Sequence, residues 1–439
     1  MNFSAALDYL YGLGHETLAM KFGLQNTQIL LAAFDNPQQS FLKIQIAGTN
    51  GKGSVCAFLN AICQAANLKP GLYTSPHLIR INERIRINDL EISENDFAKL
   101  AHKVRETAES LIAAGKLEAQ PTFFEHLTVI ALLAFREANI DIAILETGLG
   151  GRLDSTTAAG AEIVGITPIS PDHQEYLGNT LTEIAAEKAA IINSSVRFAA
   201  SATQDPSVLR IVRGKSRQFG LTLATSAQII KAQPIENLTN FEVNLKTRSE
   251  NYSGVLLGLS GKHQLENAAL AVTIAEELNN FNFKVSRSAI IHGLESVRHP
   301  GRLESWHEYA PPILFDGAHN AAGAKALREF LHEFYSQTPL TIIFGAMRDK
   351  DLAQITLEIF PLATNLILTR VDNPRSAALE DLQIFSSNKI DTHLAKNVTD
   401  ALQTARVVTP ESGLICITGS LYLVGEAQKI LLAENRKVN

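Results

Sequence analysis

Two rhythms of apolar and polar residues alternate along this chain. Short apolar runs end in glycine, serine, threonine or an acidic residue. Each is followed by a stretch whose apolar residues recur at helical spacing. In the first pair, Ile44-Gln45-Ile46-Ala47 turns through Gly48, Gly51 and Gly53 around Lys52. It then enters a helix in which Val55, Phe58, Leu59, Ile62 and Ala66 share one face. Lys69 to Tyr73 predicts a second strand, ending in Thr74-Ser75-Pro76-His77. Asp141 to Leu145 predicts a buried parallel strand with Glu146 at its carboxyl end, followed by the glycine-rich run Gly148 to Asp154. Glu162 to Ile166 predicts another, leading into Asp172-His173. Residues 1–42 carry apolar helical faces at Asp8–Leu13 and Thr27–Phe34, broken at Gly12-Leu13-Gly14-His15. Residues 94–138 are helical, split at Gln120-Pro121-Thr122. Between them, Ile79, Ile81, Ile85 and Ile87 alternate with Arg80, Asn82, Arg84 and Arg86, the period of a strand with an apolar and a basic face.

The second half repeats the pattern. Asn240–Lys246 and Gly254–Leu259 predict antiparallel strands, and Gly261-Lys262-His263-Gln264-Leu265-Glu266-Asn267 opens a helix. His299-Pro300-Gly301 punctuates the chain, and a new strand–helix alternation begins after it. Its strands end in Asp316-Gly317-Ala318-His319-Asn320, Gly345 to Asp349, Thr369-Arg370 and Thr418-Gly419-Ser420. The expected fold is α/β: an N-terminal P-loop ATPase-type doubly wound sheet over residues 1–298, and a C-terminal Rossmann-like α/β domain over 299–439, with the functional edge of the second facing the first.

Composition narrows the function. At 439 residues the chain exceeds one ordinary core. With 46% hydrophobic and 19% charged residues it reads as a soluble globular protein. A net charge of −6 gives no support for a nucleic-acid or membrane-surface partner, so anionic substrates would need local basic residues. The apolar run Leu127–Phe135 is too short to span a bilayer, and the N-terminus shows no secretory pattern. Cys56, Cys63 and Cys416 make neither a disulfide framework nor a metal quartet, which fits a reducing cytoplasm.

Three features carry chemistry. Gly48-Thr49-Asn50-Gly51-Lys52-Gly53-Ser54 lies between strand and helix, where backbone N–H groups and the helix dipole converge on an anion. Lys52 supplies a charge for phosphate and Ser54 a hydroxyl for Mg²⁺. Successive strand ends deliver Ser75, Glu146 and His173 to one sheet edge, a set suited to Mg²⁺ shared with phosphate oxygens. Lys188 falls within the apolar stripe of Leu181, Ile184 and Ile191, so it either lays its stem on the core with the amine in water, or must pair, lose its proton or be chemically altered.

Taken in order, these motifs resemble the folylpolyglutamate synthases, including the bifunctional dihydrofolate synthases of the Mur ligase superfamily. The resemblance rests on Ala47 to Ser54, Thr74-Ser75-Pro76-His77-Leu78, Glu146 to Asp154, Asp172-His173 with Leu177-Gly178, and Glu187-Lys188-Ala189. It continues through Pro300-Gly301-Arg302, Asp316 to Asn320 and Asp349-Lys350-Asp351. It implies an ATP-dependent ligase that joins L-glutamate to folate or dihydropteroate through an acyl phosphate. By the same resemblance Lys52 and its loop hold the β- and γ-phosphates. Ser75 and Glu146 bind one Mg²⁺, His173 a second, and Lys188 is a candidate carbamate. Asn267, Arg302 and Asp316 match nucleotide positions. Arg84, His319 and Ser420 lie near the incoming glutamate, and Thr122, Phe124 and Asp154 near the pterin.

A cytoplasmic monomer acting on small molecules is expected. The run Asp154-Ser155-Thr156-Thr157 departs from the family's usual Asp-Ala-Thr-Asn, and Thr167 to Asp172 holds two prolines beside the histidine. Both changes bear on substrate preference. Two other readings remain at this point: a Mur-type amide ligase for another acid, and a nucleotide-binding regulator without catalysis.

Overall fold

The structure, a computed structural model, describes residues 1–14, 23–235, 238–387 and 390–438. His15, part of the expected N-terminal break, lies outside them. Three sheets organise the described chain. The first holds β1 (Leu42–Ala47), β2 (Pro70–Tyr73), β3 (Ile85–Ile87), β4 (Leu90–Glu91), β5 (Ile142–Glu146), β6 (Ile163–Ile166), β7 (Phe198–Ser201) and β8 (Ala224–Thr225), in the order β4-β3-β2-β5-β1-β6-β7-β8. β1 lies parallel to β5 and β6, its Ile44 opposite Ile144 and Ile163.

Alternation along these strands feeds two separate cores, which is why the sheet is covered on both faces. Ile44, Ile46, Ile142 and Ile144 pack with Val55, Phe58, Leu59 and Ile62 of the helix Lys52–Ala65, and with Leu270 and Ile274 of the helix His263–Glu277. Ala143 and Leu145 face the other way, onto Leu127, Ile130, Ala131 and Ala134 of the helix Phe123–Glu137. Each such side chain, fully buried, contributes roughly 1.5–3 kcal/mol. Cys56, Cys63 and Cys416 are buried thiols, and burial pushes Cys63 up to about 12.

The stretch 79–87 is not one strand. The Glu83 carboxylate accepts the backbone N–H groups of Leu78 (2.7 Å), Ile79 (2.9 Å) and Arg80 (2.7 Å). A carboxylate satisfying three amides competes well with a strand ladder. Residues Ile81–Arg84 therefore form a 3₁₀ turn, and only Ile85–Ile87 pairs, antiparallel to β2.

The second sheet is small and antiparallel: β9 (Gln228–Pro234), β10 (Phe241–Lys246) and β11 (Asn251–Leu256), ordered β11-β10-β9. Its β9 has no clean alternation in the sequence and was not expected. The third comprises β12 (Glu304–Trp306), β13 (Ile313–Phe315), β14 (Leu340–Phe344), β15 (Asn365–Leu368), β16 (Asp391–Leu394) and β17 (Leu414–Thr418), ordered β12-β13-β17-β14-β15-β16. All pairs are parallel except β12 with β13 at one edge. Ile342 and Leu366 face one core and Ile343 and Ile367 the other, so this sheet too is doubly covered. Among the described residues no helix is long and apolar enough to cross a membrane.

Candidate active site

The carboxyl ends of the first and third sheets face each other across a cavity of about 490 Å³. Lining it from the first sheet are Thr49, Asn50, Gly51, Lys52, Gly53, Ser54, Ser75, Glu146, His173 and Lys188. Thr122, Phe124 and Asp154 line one end, and Asn267, Arg302, Asp316, His319 and Ser420 the other side. Two of the expected residues are not on its wall. Gly48 lies beneath it, at φ +146°, where a Cβ would meet the Thr167 hydroxyl at 1.9 Å. Arg84 is 2% exposed. Its Nε donates to His77 Nδ1 at 2.8 Å and its guanidinium lies 5.5 Å from the Phe123 ring centre. The 3₁₀ turn imposed by Glu83 places it there.

The phosphate loop is held by its neighbours. Gly51 caps the helix Lys52–Ala65 at φ +88°, and a Cβ there would lie 2.2 Å from Asn267 Oδ1. Thr49 bonds Ser170 twice, its hydroxyl donating to the carbonyl at 2.9 Å and accepting the N–H at 3.1 Å, while its N–H donates to Pro168. The proline-containing run 167–172 thus braces the loop. Lys52 Nζ rests on the Thr49 carbonyl at 3.1 Å.

Glu146 is 6% exposed and accepts the Ser75 N–H at 3.2 Å. Burial raises its carboxyl, and Lys52 opposes the rise. Lys188 is 4% exposed, and its Nζ donates to the Gly48 carbonyl at 2.8 Å. Burial, reinforced by Lys52, lowers its ammonium to about 7. Gly151 lets the glycine-rich loop lie on this helix, since a Cβ would sit 2.8 Å from the Glu187 and Lys188 carbonyls.

At one end Phe124 stacks on Tyr73 with ring centres 5.8 Å apart and presses on Gly148. The Thr122 hydroxyl caps the helix that carries Phe124. The Asp154 carboxylate accepts the N–H groups of Leu149 (2.9 Å) and Thr156 (3.0 Å), closing the glycine-rich loop.

Across the cavity, Asp316 accepts the N–H of Leu303 (3.1 Å) and Ala318 (2.9 Å). Burial raises its carboxyl to about 6 against the pull of Arg302. His319 Nδ1 lies 2.7 Å from the Gly317 carbonyl, so the proton sits on that nitrogen. Burial lowers His319 to about 4. Ser420 Oγ accepts the Leu423 N–H at the start of the last helix.

His263, Gln264, Lys350, Arg375 and Tyr422 also line the cavity and were given no role from the sequence. Lys350 lies in the Asp349-Lys350-Asp351 motif, whose spacing does not tell which partner it finds. Its Nζ lies 2.9 Å from Asp172 Oδ1 and 3.3 Å from His173 Nε2. An ammonium has no acceptor, so His173 carries its proton on Nδ1 and turns the Nε2 lone pair to the cation. Among the described residues no group of three acidic, histidine or cysteine side chains converges as a metal site.

Two doubly wound sheets that meet at a phosphate loop define the class: a nucleotide-binding ligase of the Mur type. Residues 46–275 match the Mur ligase middle domain, and residues 301–430 the dihydrofolate synthetase C-terminal domain. A dihydrofolate synthase/folylpolyglutamate synthase of Bacillus subtilis is 33% identical over 425 residues, covering 95% of this chain and 97% of that protein. The chain belongs to the dihydrofolate synthase/folylpolyglutamate synthase family. Among solved structures, Mycobacterium tuberculosis folylpolyglutamate synthase complexed with ADP and AMPPCP superposes with a TM-score of 0.89 at 30% identity, covering 98% of this chain and 99% of that one. Escherichia coli FolC in complex with DHPP and ADP gives 0.86 at 25%, covering 99% of each.

Proposed function

We propose that this protein joins L-glutamate to the γ-carboxylate of a reduced folate, and to dihydropteroate, using ATP. The observation that carries the reading is a single cavity in which the phosphate loop, Glu146 and Lys188 face Arg302, Asp316, His319 and Ser420. The family membership and the nucleotide and DHPP complexes of the relatives support it.

The carboxylate is a poor electrophile. An oxygen of it attacks the γ-phosphorus of ATP, ADP leaves, and an acyl phosphate forms. The glutamate amine then attacks the acyl carbon, loses a proton, and the tetrahedral intermediate collapses with phosphate as leaving group. Catalysis is mainly positioning and charge stabilisation. Lys52 and the N–H groups from Asn50 to Ser54 would hold the β- and γ-phosphates, with Asn267, Arg302 and Asp316 on the rest of the nucleotide. Phe124, backed by the buried ring of Tyr73, would give the pterin a stacking wall, bordered by Thr122 and Asp154. His319 and Ser420 would border the glutamate, with Arg84 supporting from behind His77. Division of labour falls at residues 298 and 299, and closure of the two parts would exclude water from the acyl phosphate.

The donor set fits Mg²⁺. Glu146 is a buried carboxylate beside Ser75 with no protein cation bonded to it among the described residues, and Mg²⁺ commonly takes one or two carboxylates plus phosphate oxygens. His173 Nε2 carries an unprotonated lone pair, turned here to the Lys350 ammonium, and would hold a second ion once that ammonium moves off it. Bound Mg²⁺ would neutralise charge on the transferring phosphoryl group. A neutral Lys188 amine is the form that reacts with CO₂, giving a carbamate and a proton. We assign the protein to the cytoplasm as a monomer without nucleic-acid or membrane partners.

The test is phosphate release from ATP with L-glutamate, comparing dihydropteroate with tetrahydrofolate. Turnover with both is expected. Turnover with tetrahydrofolate alone would remove dihydrofolate synthesis, and silence with both in protein that binds ATP would move the assignment to another acid.

A further inference from the structure

The Asp172–His173 turn is gripped from the opposite side of the cavity. Asp172 follows β6 of the first sheet, whereas Lys350 and Asn320 follow β14 and β13 of the third. Lys350 Nζ reaches Asp172 Oδ1 at 2.9 Å, and both side chains are only 9% exposed. Asn320 Nδ2 reaches Asp172 Oδ2 at 3.1 Å. The Asn320 amide also exchanges two bonds with Asn50 of the phosphate loop, at 3.0 and 3.2 Å. Its Oδ1 takes the Gly323 N–H as well. One side-chain amide therefore ties the phosphate loop, the Asp172 turn and a helix start together.

Lys350 is itself fixed. Its N–H donates to the Met347 carbonyl, the Arg348 N–H to the Arg375 carbonyl, and Arg375 pairs with Asp349 at 2.7 Å. A half-buried loop this well anchored delivers its ammonium to one place. His173 sits in the left-handed region at φ +50°, where the chain turns into the short helix Gln174–Leu177. The Lys350 ammonium is the hydrogen-bond partner of the His173 ring, and the Asp172 carboxylate lies 3.9 Å from the same Nε2.

We propose that Lys350 is a positioning residue for the ligation: from the second domain it holds the Asp172–His173 turn against the phosphate loop, so the histidine takes its working orientation only when the domains are closed. The inference rests on the proposed ligase reaction, and its structural half can be tested apart from it. Lys350 acts through Asp172 and touches no reacting atom. When a metal ion takes the Nε2 lone pair, the bond to Asp172 still holds the turn.

Kinetics of Lys350→Met, Lys350→Arg, Asp172→Asn and the double variant Asp172→Asn/Lys350→Met test the role. Lys350→Met should lower kcat about 10- to 100-fold, the range for breaking a coupled pair, with KM for ATP and glutamate little changed. Lys350→Arg should restore most of the loss. In the Asp172→Asn background Lys350→Met should cost less than about threefold. A rise in KM for glutamate alone, with the same cost in both backgrounds, would show Lys350 on the substrate and overturn the proposal. Hydrogen exchange without substrates gives the independent readout. Amides of 168–178 and of 318–323 should both exchange faster in Lys350→Met, and faster exchange on neither side would also overturn it. If the wild-type protein shows no glutamate-dependent turnover, the ligase reading fails while the exchange result still decides whether Lys350 grips the turn.

Discussion

Replacing Lys188 by Met removes a buried cation and keeps the side-chain length. With the ammonium at about 7 in the folded chain and 10.5 as its ordinary value, the difference corresponds to about 5 kcal/mol. Folded protein binds fewer protons than unfolded between these values, so wild-type stability rises with pH across that window. Below pH 7 both states are protonated and the whole penalty is present. Met escapes it but leaves the Gly48 carbonyl without its donor, at about 1–3 kcal/mol. Lys188→Met should thus be more stable than wild type by about 2–4 kcal/mol at pH 6, lose that advantage at about 1.4 kcal/mol per pH unit above 7, and become the less stable form at a crossing between about pH 8.5 and 10. Urea unfolding of both proteins from pH 6 to 10, in buffer freed of CO₂, measures the difference. A gap that does not change with pH would refute the reasoning, because it would mean the amine is solvated or paired in the folded chain.

Gly51→Ala would push a Cβ against Asn267 Oδ1 at a φ of +88°; nucleotide affinity, read by calorimetry with ADP, should fall by at least about tenfold while the fold survives. Asp316 protonates near pH 6, which weakens its bonds to the Leu303 and Ala318 amides, so ADP affinity should fall below pH 6 and lose that step in Asp316→Asn. Glu83→Ala strips three amides of their acceptor and should cost about 1–3 kcal/mol in chemical denaturation, with faster proteolysis at residues 78–84. Glu146→Gln should weaken Mn²⁺ binding to the ADP complex, measured by electron paramagnetic resonance, and leave ADP binding without metal within about threefold.

Local pattern carried much of the architecture into view. The strand–glycine–helix run at 44–66 needs no distant partner to be read, because turn chemistry, dipole and apolar face all lie within it. Lys188 stood out for a similar reason, a charge inside an apolar stripe, and the tertiary structure decided that its amine is buried and does not reach water. The stretch 79–87 misled because alternation measures side-chain facing, whereas the Glu83 carboxylate decided the backbone. Arg84 followed that turn away from the cavity wall and onto His77. Strands β9, β12 and β16 are short or exposed edge pieces whose pairing comes from neighbours, not from their own pattern.

The sequence by itself determined the two α/β halves, the phosphate loop and the set of chemical groups at the strand ends, since each is written in contiguous residues. Tertiary structure decided which groups meet. Lys350 finds Asp172 across 178 positions of chain, and Asn320 finds Asn50 across 270. No local spacing encodes such a contact, because it depends on how two separately folded sheets dock.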